Sequence, residues 1–221
     1  MLPLSGFSPT ADDPGSPTTR KVTVDTFLSL DGVMQAPGGA GEDPSGGFDL
    51  EGWSVNYWDQ TMGEVMGASM SAPFNLLLGR KTYEIFAGHW PGVPESEGGR
   101  PINAATKYVV STKLERLEWG PSERIGGDVV DAIRRLKQGD GPDLQVHGSS
   151  DLLQTLIGGG LVDEYRVWTF PLLLGKGKRL FGEGTIPVGL RLVDATTAST
   201  GVIIATYVPA GDIPFGTFAR E

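Results

Sequence analysis

The chain has 221 residues, of which 39% are hydrophobic, so it can bury an ordinary core and wholesale disorder is excluded. It contains no cysteine, which excludes disulfide frameworks and thiolate metal sites and fits a reducing, cytoplasmic environment. Its two histidines are too few for most histidine-metal sites, so we expect no metal. No apolar run approaches the ~18–20 residues of a membrane helix, and residues 1–13 lack the pattern of a secretion signal.

The net charge of −9 argues against nucleic acid as the main partner. Most of this negative charge lies in the N-terminal part of the chain, because residues 1–60 carry nine acidic and two basic side chains. The rest of the chain is close to neutral overall, so we expect any anionic ligand to bind there.

The front of the chain combines an irregular arm, one strand and a long loop. Residues 1–19 are rich in proline and polar side chains, which predicts a flexible N-terminal arm in front of a single domain at residues 20–221. Apolar side chains alternate over residues 21–30, which predicts a strand that ends at Asp31 and Gly32. Residues 33–52 have no apolar period, and a loop of this length is usually functional, so we expect a lid.

Helices and short strands alternate through the middle of the chain, and strands dominate its end. Helices are predicted at residues 56–70, 128–137 and 151–157, with a helical turn at 83–86. Short strands are predicted at 75–78, 107–110 and 144–146, and longer ones at 162–170, 190–198 and 202–208. This order indicates an α/β fold whose sheet is mostly parallel with an antiparallel C-terminal edge. Because residues 202–208 are almost uncharged, we expect this strand to be covered or paired across a homodimer.

Three segments share one design, in which a short buried strand leads through small or basic residues into the next element. They are LLLGRKTYE (76–84), YVVSTK (108–113) and LQVHGSSDLLQTL (144–156). Helix N-termini at strand ends carry unpaired N–H groups that bind phosphates, and basic and hydroxyl side chains add to them. The segments therefore predict a dinucleotide site, or else ordinary turns in which Gly79 and Gly148 serve the backbone. The sequence lacks the Gly-x-Gly-x-x-Gly fingerprint and the Walker loop, which argues against a standard Rossmann domain or P-loop NTPase.

Five segments carry a resemblance to known reductases, and they occur along the chain in the order expected of those families. The run Leu78-Gly79-Arg80-Lys81-Thr82-Tyr83 is similar to the Gly-Arg-x-Thr-aromatic segment of dihydrofolate reductases. The run Ser29-Leu30-Asp31-Gly32 resembles the first-strand motif of the reductase domain in riboflavin-biosynthesis deaminase–reductases, and His147-Gly148-Ser149-Ser150 stands where these families have a pyrophosphate turn. Residues 160–164 and 171–181 resemble stand-alone members of the second family. The similarity covers about residues 21–208.

The resemblance implies a three-layer dihydrofolate reductase-like sandwich with helices on both faces, NADPH as cofactor, and often a homodimer. By position, the adenosine phosphates and pyrophosphate would be contacted by Gly79, Arg80, Lys81 and Thr82. The ribose end with its extra phosphate would be held by Ser111, Thr112 and Lys113. The pyrophosphate would also be held by Gly148, Ser149 and Ser150. The backbone at residues 30–33 would border the nicotinamide.

The substrate half of the site departs from both families. Riboflavin-pathway reductases usually have a carboxylate where this chain has His147, and no residue in 56–70 matches the acid of dihydrofolate reductases securely. Hydride transfer to a C=N or C=C bond also requires a proton, for which Asp31, Asp59 and His147 are the candidates. Trp53, Tyr57 and Trp58 are candidates for stacking on a flat substrate or for plain packing. The function predicted is reduction of a small pterin-, pyrimidine- or flavin-like heterocycle; the alternative is a non-catalytic nucleotide- or pterin-binding protein.

Overall fold

The computed structural model describes residues 19–95, 99–183 and 185–218, and residues 1–18 of the predicted arm lie outside them. The strands are β1 (Val22–Ser29), β2 (Phe74–Gly79), β3 (Lys107–Val110), β4 (Ser122–Ile125), β5 (Asp143–His147), β6 (Glu164–Phe170), β7 (Leu190–Thr197) and β8 (Ile203–Pro209). The helices are α1 (Gln60–Ser69), α2 (Arg80–His89), α3 (Gly99–Ala104), α4 (Val129–Gln138) and α5 (Ser150–Gly158). Short 3₁₀ turns occur at Ser45–Gly47, Val55–Tyr57 and Trp90–Gly92.

The strands form one sheet in the order β4-β3-β2-β5-β1-β6-β8-β7. All pairs from β4 to β6 are parallel, whereas β8 runs antiparallel to both β6 and β7. The predicted α/β class, with a mostly parallel mixed sheet and an antiparallel C-terminal edge, is therefore confirmed.

Helices cover both faces of the sheet, because the central strands are apolar on both sides. In β2, Leu76, Leu77 and Leu78 are all fully buried. Leu77 joins the core cluster that contains Ile133 of α4 and Leu153 of α5, whereas Leu76 and Leu78 join a cluster on the opposite face with Tyr83 of α2. Strand side chains alternate between faces, so a short uninterrupted apolar run indicates a strand buried on both sides. Within the described residues, no helix has the length and apolar composition needed to cross a membrane.

Some elements differ from the sequence prediction. Helix α1 begins at Gln60, four residues later than predicted, because Asp59 caps it and the preceding residues form a 3₁₀ turn. The predicted helical turn at residues 83–86 is part of the longer α2. Strand β4 and helix α3 were not predicted; β4 is the sequence Ser-Glu-Arg-Ile at the sheet edge, where burial imposes little apolar pattern.

Residues 202–208, which the sequence predicts to be covered or paired across a homodimer, have both of their neighbouring strands within the chain. Strand β8 pairs on both sides within the chain, and β7 forms the edge of the sheet. Leu190, Leu192 and Val193 of β7 are 41–52% exposed. The strand that needs a partner or a cover is therefore β7.

Candidate active site

A cavity of about 920 Å³ opens at the carboxyl ends of β2, β3, β4 and β5 and extends along β1. Ligands of open α/β sheets bind at this end of the strands. All ten residues predicted to bind the cofactor line this cavity: Gly79, Arg80, Lys81, Thr82, Ser111, Thr112, Lys113, Gly148, Ser149 and Ser150. The three segments that the sequence singled out are thus brought to one place.

Two helices begin at the cavity with uncapped N-termini. Helix α2 starts after Gly79 and α5 after Ser149, and neither of these residues caps its helix with a side-chain hydrogen bond. By contrast, Asp59 accepts from the Met62 N–H at the start of α1, and Asp128 caps α4. The first N–H groups of a helix have no hydrogen-bond acceptor within the helix, and they lie at the positive end of its dipole. The starts of α2 and α5 therefore form a place for an anion.

Ser149 fixes these two helix starts side by side. Its hydroxyl accepts a hydrogen bond from the Gly79 N–H at 2.9 Å and donates one to Thr82 Oγ1 at 2.7 Å. Gly148 and Ser149 both have left-handed backbone conformations, with φ of +64° and +63°. For a serine this conformation costs about 1–2 kcal/mol. The bonds to Gly79 and Thr82 hold it there, so the turn has one defined shape.

The third turn, after β3, is shaped by Ser111. Its buried hydroxyl accepts hydrogen bonds from the backbone N–H groups of Lys113 and Leu114, at 3.1 and 3.0 Å. The Ser111 side chain thus holds the turn in which Thr112 and Lys113 line the cavity. Gly126 and Gly127, which follow β4, line the same end and were missed; a glycine pair just before the capped helix α4 was the available signal.

Several of the cavity's charged side chains are already paired within the chain. Arg80 forms an ion pair with Glu84 at 2.8 Å, and Lys81 forms one with Asp43 at 2.9 Å. Lys178, which also lines the cavity, binds the other oxygen of Asp43 at 2.6 Å. Lys113 has no ion-pair partner among the described residues. An anionic ligand could thus bind Lys113 without displacing another group. To bind Arg80, Lys81 or Lys178 it would compete with the carboxylates of Glu84 and Asp43.

The other half of the cavity is mainly apolar. Its wall includes Phe27 of β1, Trp58 just before α1, and Met66 of α1. Trp58 is 47% exposed and stacks on Trp168, with the rings 9° from parallel. The other two aromatic candidates, Trp53 and Tyr57, do not line the cavity; both pack edge-on against Phe170. Of the three, only Trp58 is placed to contact a substrate.

A buried carboxylate that sequence reasoning missed, Asp25, lies in this half. It belongs to β1, lines the cavity and is 3% exposed. Its Oδ2 pairs with the Arg166 guanidinium at 3.0 Å, and its Oδ1 accepts the Trp168 indole N–H at 2.8 Å. In register, Asp25 stands between His147 of β5 and Arg166 of β6. An acidic residue inside an otherwise apolar and Thr-rich strand was the signal that could have found it.

His147 lines the cavity, but its environment keeps it neutral. Its Nε2 lies 3.1 Å from Gln145 Oε1, and the Gln145 amide donates to the Ser69 carbonyl at 3.0 Å. Because Gln145 Oε1 can only accept, the imidazole carries its proton on Nε2. Burial lowers the pKa of His147, outweighing the attraction of the Asp25 carboxylate. At neutral pH this side chain therefore has no spare proton for a substrate.

Asp31 and Asp59, the other two predicted proton donors, do not line the cavity. The Asp31 carboxylate accepts from the Ser29 hydroxyl at 2.6 Å and from the N–H groups of Leu174 and Gly175, and these bonds lower its pKa to about 2. Besides capping α1, Asp59 accepts from the N–H and the hydroxyl of Ser199, both at 2.7 Å. In this structure both carboxylates join loops, and neither lines the cavity.

Residues 30–33, which the resemblance places beside the nicotinamide, lie next to the cavity wall in sequence but are not part of it. Residues 30–33 do not line the cavity, whereas residues 34–38 and Asp43 do. A backbone hydrogen bond from the Ser29 N–H to the Val33 carbonyl closes the turn after β1. A second one, from the Leu30 N–H to the Leu172 carbonyl, joins this turn to the chain after β6. The wall on this side therefore comes from the long loop that follows.

Comparison with known proteins gives the fold and the family. The model of the RibD C-terminal domain matches residues 20–204. The uncharacterized protein YyaP of Bacillus subtilis is 26% identical over 196 residues, which cover 85% of this chain and 94% of YyaP.

Two solved structures are similar in fold. A putative riboflavin biosynthesis protein from Shewanella sp. PV-4 has a TM-score of 0.62 at 20% identity, covering 86% of this chain and 99% of its own. Dihydrofolate reductase from Enterococcus faecalis, complexed with NADP(H), has a TM-score of 0.54 at 14% identity. The match covers 86% of this chain and 96% of the reductase. The fold is thus dihydrofolate reductase-like, and, because the family model spans most of its length, the chain belongs to the RibD C-terminal domain family.

Proposed function

We propose that this chain is an NADPH-dependent reductase that transfers hydride to a small, flat heterocycle of the pterin, pyrimidine or flavin type. One observation carries the proposal: two uncapped helix N-termini and the turn after β3 converge on a single cavity that also has an apolar, aromatic half. A nicotinamide dinucleotide would match both parts of this cavity. Its charged phosphates would lie at the helix N-termini, and its flat nicotinamide ring would lie in the apolar half. The family and the NADP(H)-bound structural neighbour point to the same class of reaction.

The described residues fit this cofactor. The starts of α2 and α5 would hold the pyrophosphate, with the Gly148 and Ser149 backbone between them. Arg80 and Lys113 would hold the ribose end, where NADP(H) carries an extra phosphate; both line the cavity, and Lys113 has no ion-pair partner among the described residues. These groups supply amide donors and positive charge, the combination that phosphates bind.

The substrate would occupy the apolar half. NADPH, when bound, supplies the hydride, and the chain supplies alignment and a dry wall. Trp58 and Met66 would cover the flat ring, and Asp25, held by Arg166 and Trp168, would accept N–H groups of the substrate. Asp31 and Asp59 lie outside the cavity and His147 is neutral, so we assign the proton to a water molecule.

The same absence of a ready donor among the three predicted residues favours the alternative, a non-catalytic binding protein. Oxidation of NADPH in the presence of pterins, aminopyrimidines and flavins separates the two. We expect at least one of these classes to consume NADPH, and Lys81→Ala to weaken the reaction by raising KM for NADPH. Lys21→Ala, an exposed lysine outside the cavity, is the matched control and should leave it unchanged. Tight binding of NADPH with no oxidation by any class would contradict the reductase and support the binding protein.

The homodimer, the cytoplasmic location and the single domain at residues 20–221 are proposed with this function on the grounds given by the sequence. For the dimer contact we propose the exposed edge strand β7 in place of residues 202–208, because β8 pairs on both sides within the chain.

A further inference from the structure

The loop that forms one side of the cavity contributes an aspartate, Asp43, which lies between two lysines of the cavity, Lys81 and Lys178. We call residues 34–52 the acidic segment, because they include four carboxylates and no lysine or arginine. Two of these carboxylates serve the segment itself: Glu42 accepts from the Gly38 and Gly39 N–H groups, and Glu51 accepts from those of Gly41 and Asp43. These bonds give the segment an internal structure.

On one side, the acidic segment is attached to residues 174–180. The Met34 N–H donates to the Lys178 carbonyl at 2.8 Å, and the Lys178 N–H donates to Gln35 Oε1 at 3.0 Å. The Gln35 amide in turn donates to the carbonyls of Asp43 and Ser45, at 2.8 and 2.9 Å. This side therefore has several backbone and side-chain attachments.

Across the cavity, the attachment is a single ion pair. Asp43 Oδ1 lies 2.9 Å from Lys81 Nζ on α2. Among the hydrogen bonds and ion pairs of the described residues, this is the only one between the acidic segment and α2, the turn after β3 or the turn before α5. Asp43 is 14% exposed at its side chain, and Lys81 is 48% exposed, so a ligand can reach the lysine.

From this geometry we propose that Asp43 is an anionic latch: it holds the acidic segment against α2 through Lys81, and a phosphate that takes Lys81 displaces it. The proposal rests on the proposed function for the identity of the phosphate ligand. Lys81 lies in the first turn of the uncapped helix α2, where an entering phosphate would also find amide donors. The phosphate and the Asp43 carboxylate would compete for one ammonium group, so binding at Lys81 would release the segment on this side. Although burial opposes it, hydrogen bonds from Lys178, Ser45 and Lys81 hold the pKa of Asp43 well below its usual range, so the latch is charged at neutral pH.

The test compares Asp43→Asn with Asp49→Asn. Both changes remove one negative charge from the acidic segment, but Asp49 pairs with Lys176 at 2.7 Å and neither of these residues lines the cavity. Asparagine at position 43 keeps the shape and an acceptor for the Ser45 N–H. The first readout is hydrogen exchange in the ligand-free protein, which does not depend on any cofactor.

We expect amides of residues 36–47 to exchange about threefold to tenfold faster in Asp43→Asn than in the parent, because the change removes the ion pairs of Asp43 with Lys81 and with Lys178, and Asp49→Asn to match the parent. The second readout is calorimetric titration with inorganic pyrophosphate and with NADPH. Here Asp43→Asn should bind both about threefold to tenfold more tightly, because the competing anion is gone. Equal exchange in all three proteins, or weaker anion binding by Asp43→Asn, would overturn the latch. If none of the proteins binds NADPH, the proposed function fails, and the exchange result alone decides the latch.

Discussion

At the residue scale, the structure separates two aspartates of the first strand and its turn that look alike in the sequence. Asp31 follows a family-like motif, yet its carboxylate is used by Ser29, Leu174 and Gly175. Asp25 has no motif, yet it lines the cavity beside His147. The sequence could place both on β1 and its end, but it could not identify most of their partners, because Arg166 and Trp168 for Asp25 and Leu174 and Gly175 for Asp31 lie about 140 residues away.

The first prediction concerns stability at Asp25. Asp25→Asn removes the charge that the Arg166 guanidinium faces at 3.0 Å in a buried setting. Breaking a buried pair in this way costs about 3–5 kcal/mol of unfolding free energy, and we expect the lower end of this range because Arg166 is partly exposed. Urea unfolding measures it, and Asp194→Asn on the exposed β7 serves as the control with a change of about 0.5 kcal/mol or less. Parent-like stability of Asp25→Asn would show that the pair contributes nothing.

The second prediction is a pH dependence at His147. Burial lowers the pKa of this imidazole below its ordinary value of 6.5, so the unfolded chain takes up the proton before the folded chain does. The native state therefore loses stability as pH falls below the unfolded pKa, and the contribution is absent above it. Relative to His147→Gln, the parent should lose unfolding free energy as pH falls from about 7 to about 5. A free-energy difference that stays constant over this range would contradict the prediction.

At the scale of elements, the strand–turn–helix units were predictable and their ends were not. The apolar runs Leu76–Leu78 and Leu144–Val146 and the glycines that follow indicated β2 and β5 and the turns into α2 and α5. The missing caps of those helices and the left-handed Ser149 could not be predicted, because the Ser149 hydroxyl bonds to Thr82 and Gly79 on another element. In the absence of such a partner, a serine before a helix ordinarily predicts a side-chain cap.

The third prediction tests the turn between β5 and α5. Gly148 has φ of +64°, and a Cβ there would lie 3.6 Å from Thr82 Oγ1, so valine adds backbone strain of about 1–3 kcal/mol and crowds Thr82 with its branches. We expect Gly148→Val to weaken NADPH binding by more than about tenfold, measured by calorimetry. Gly160→Val is the matched control, because Gly160 has φ of +61° with open space around it and lies outside the cavity.

The control separates strain from loss of the site. Gly160→Val should lose stability in a melting curve while binding NADPH like the parent. If a folded Gly148→Val also binds NADPH like the parent, the turn is only structural and the dinucleotide site must lie elsewhere.

At the scale of the whole molecule, the sequence predicted the layers and the mixed sheet but did not show which C-terminal strand forms the edge. The alternation of strands and helices followed by a run of strands was sufficient for the class, because only a few arrangements bury such a pattern. Residues 202–208 are more apolar than residues 190–198, so the former looked like the strand that needed a partner. In the structure β8 is the inner strand and its composition reflects two neighbours, which hydrophobicity along one chain does not reveal.

The fourth prediction is a homodimer that uses β7. Leu192 and Val193 are each 52% exposed on this edge strand, which would otherwise attract unspecific pairing. We expect light scattering to report a dimer at micromolar concentration and Leu192→Lys to shift it to monomer. Leu173→Lys is the control, since Leu173 is 72% exposed but lies away from β7 in sequence and outside the sheet. A monomeric parent would contradict the dimer.

The central claim is that the cavity binds NADPH through its phosphates, and the most direct test is calorimetric titration of the parent protein with NADPH and with NADH. Arg80 and Lys113 line the end of the cavity assigned to the extra phosphate, and a charge-assisted contact contributes about 1.5–3 kcal/mol. We expect saturable binding of one NADPH per chain, at least about tenfold tighter than the binding of NADH. Equal affinity for the two dinucleotides, or no binding of NADPH, would contradict it.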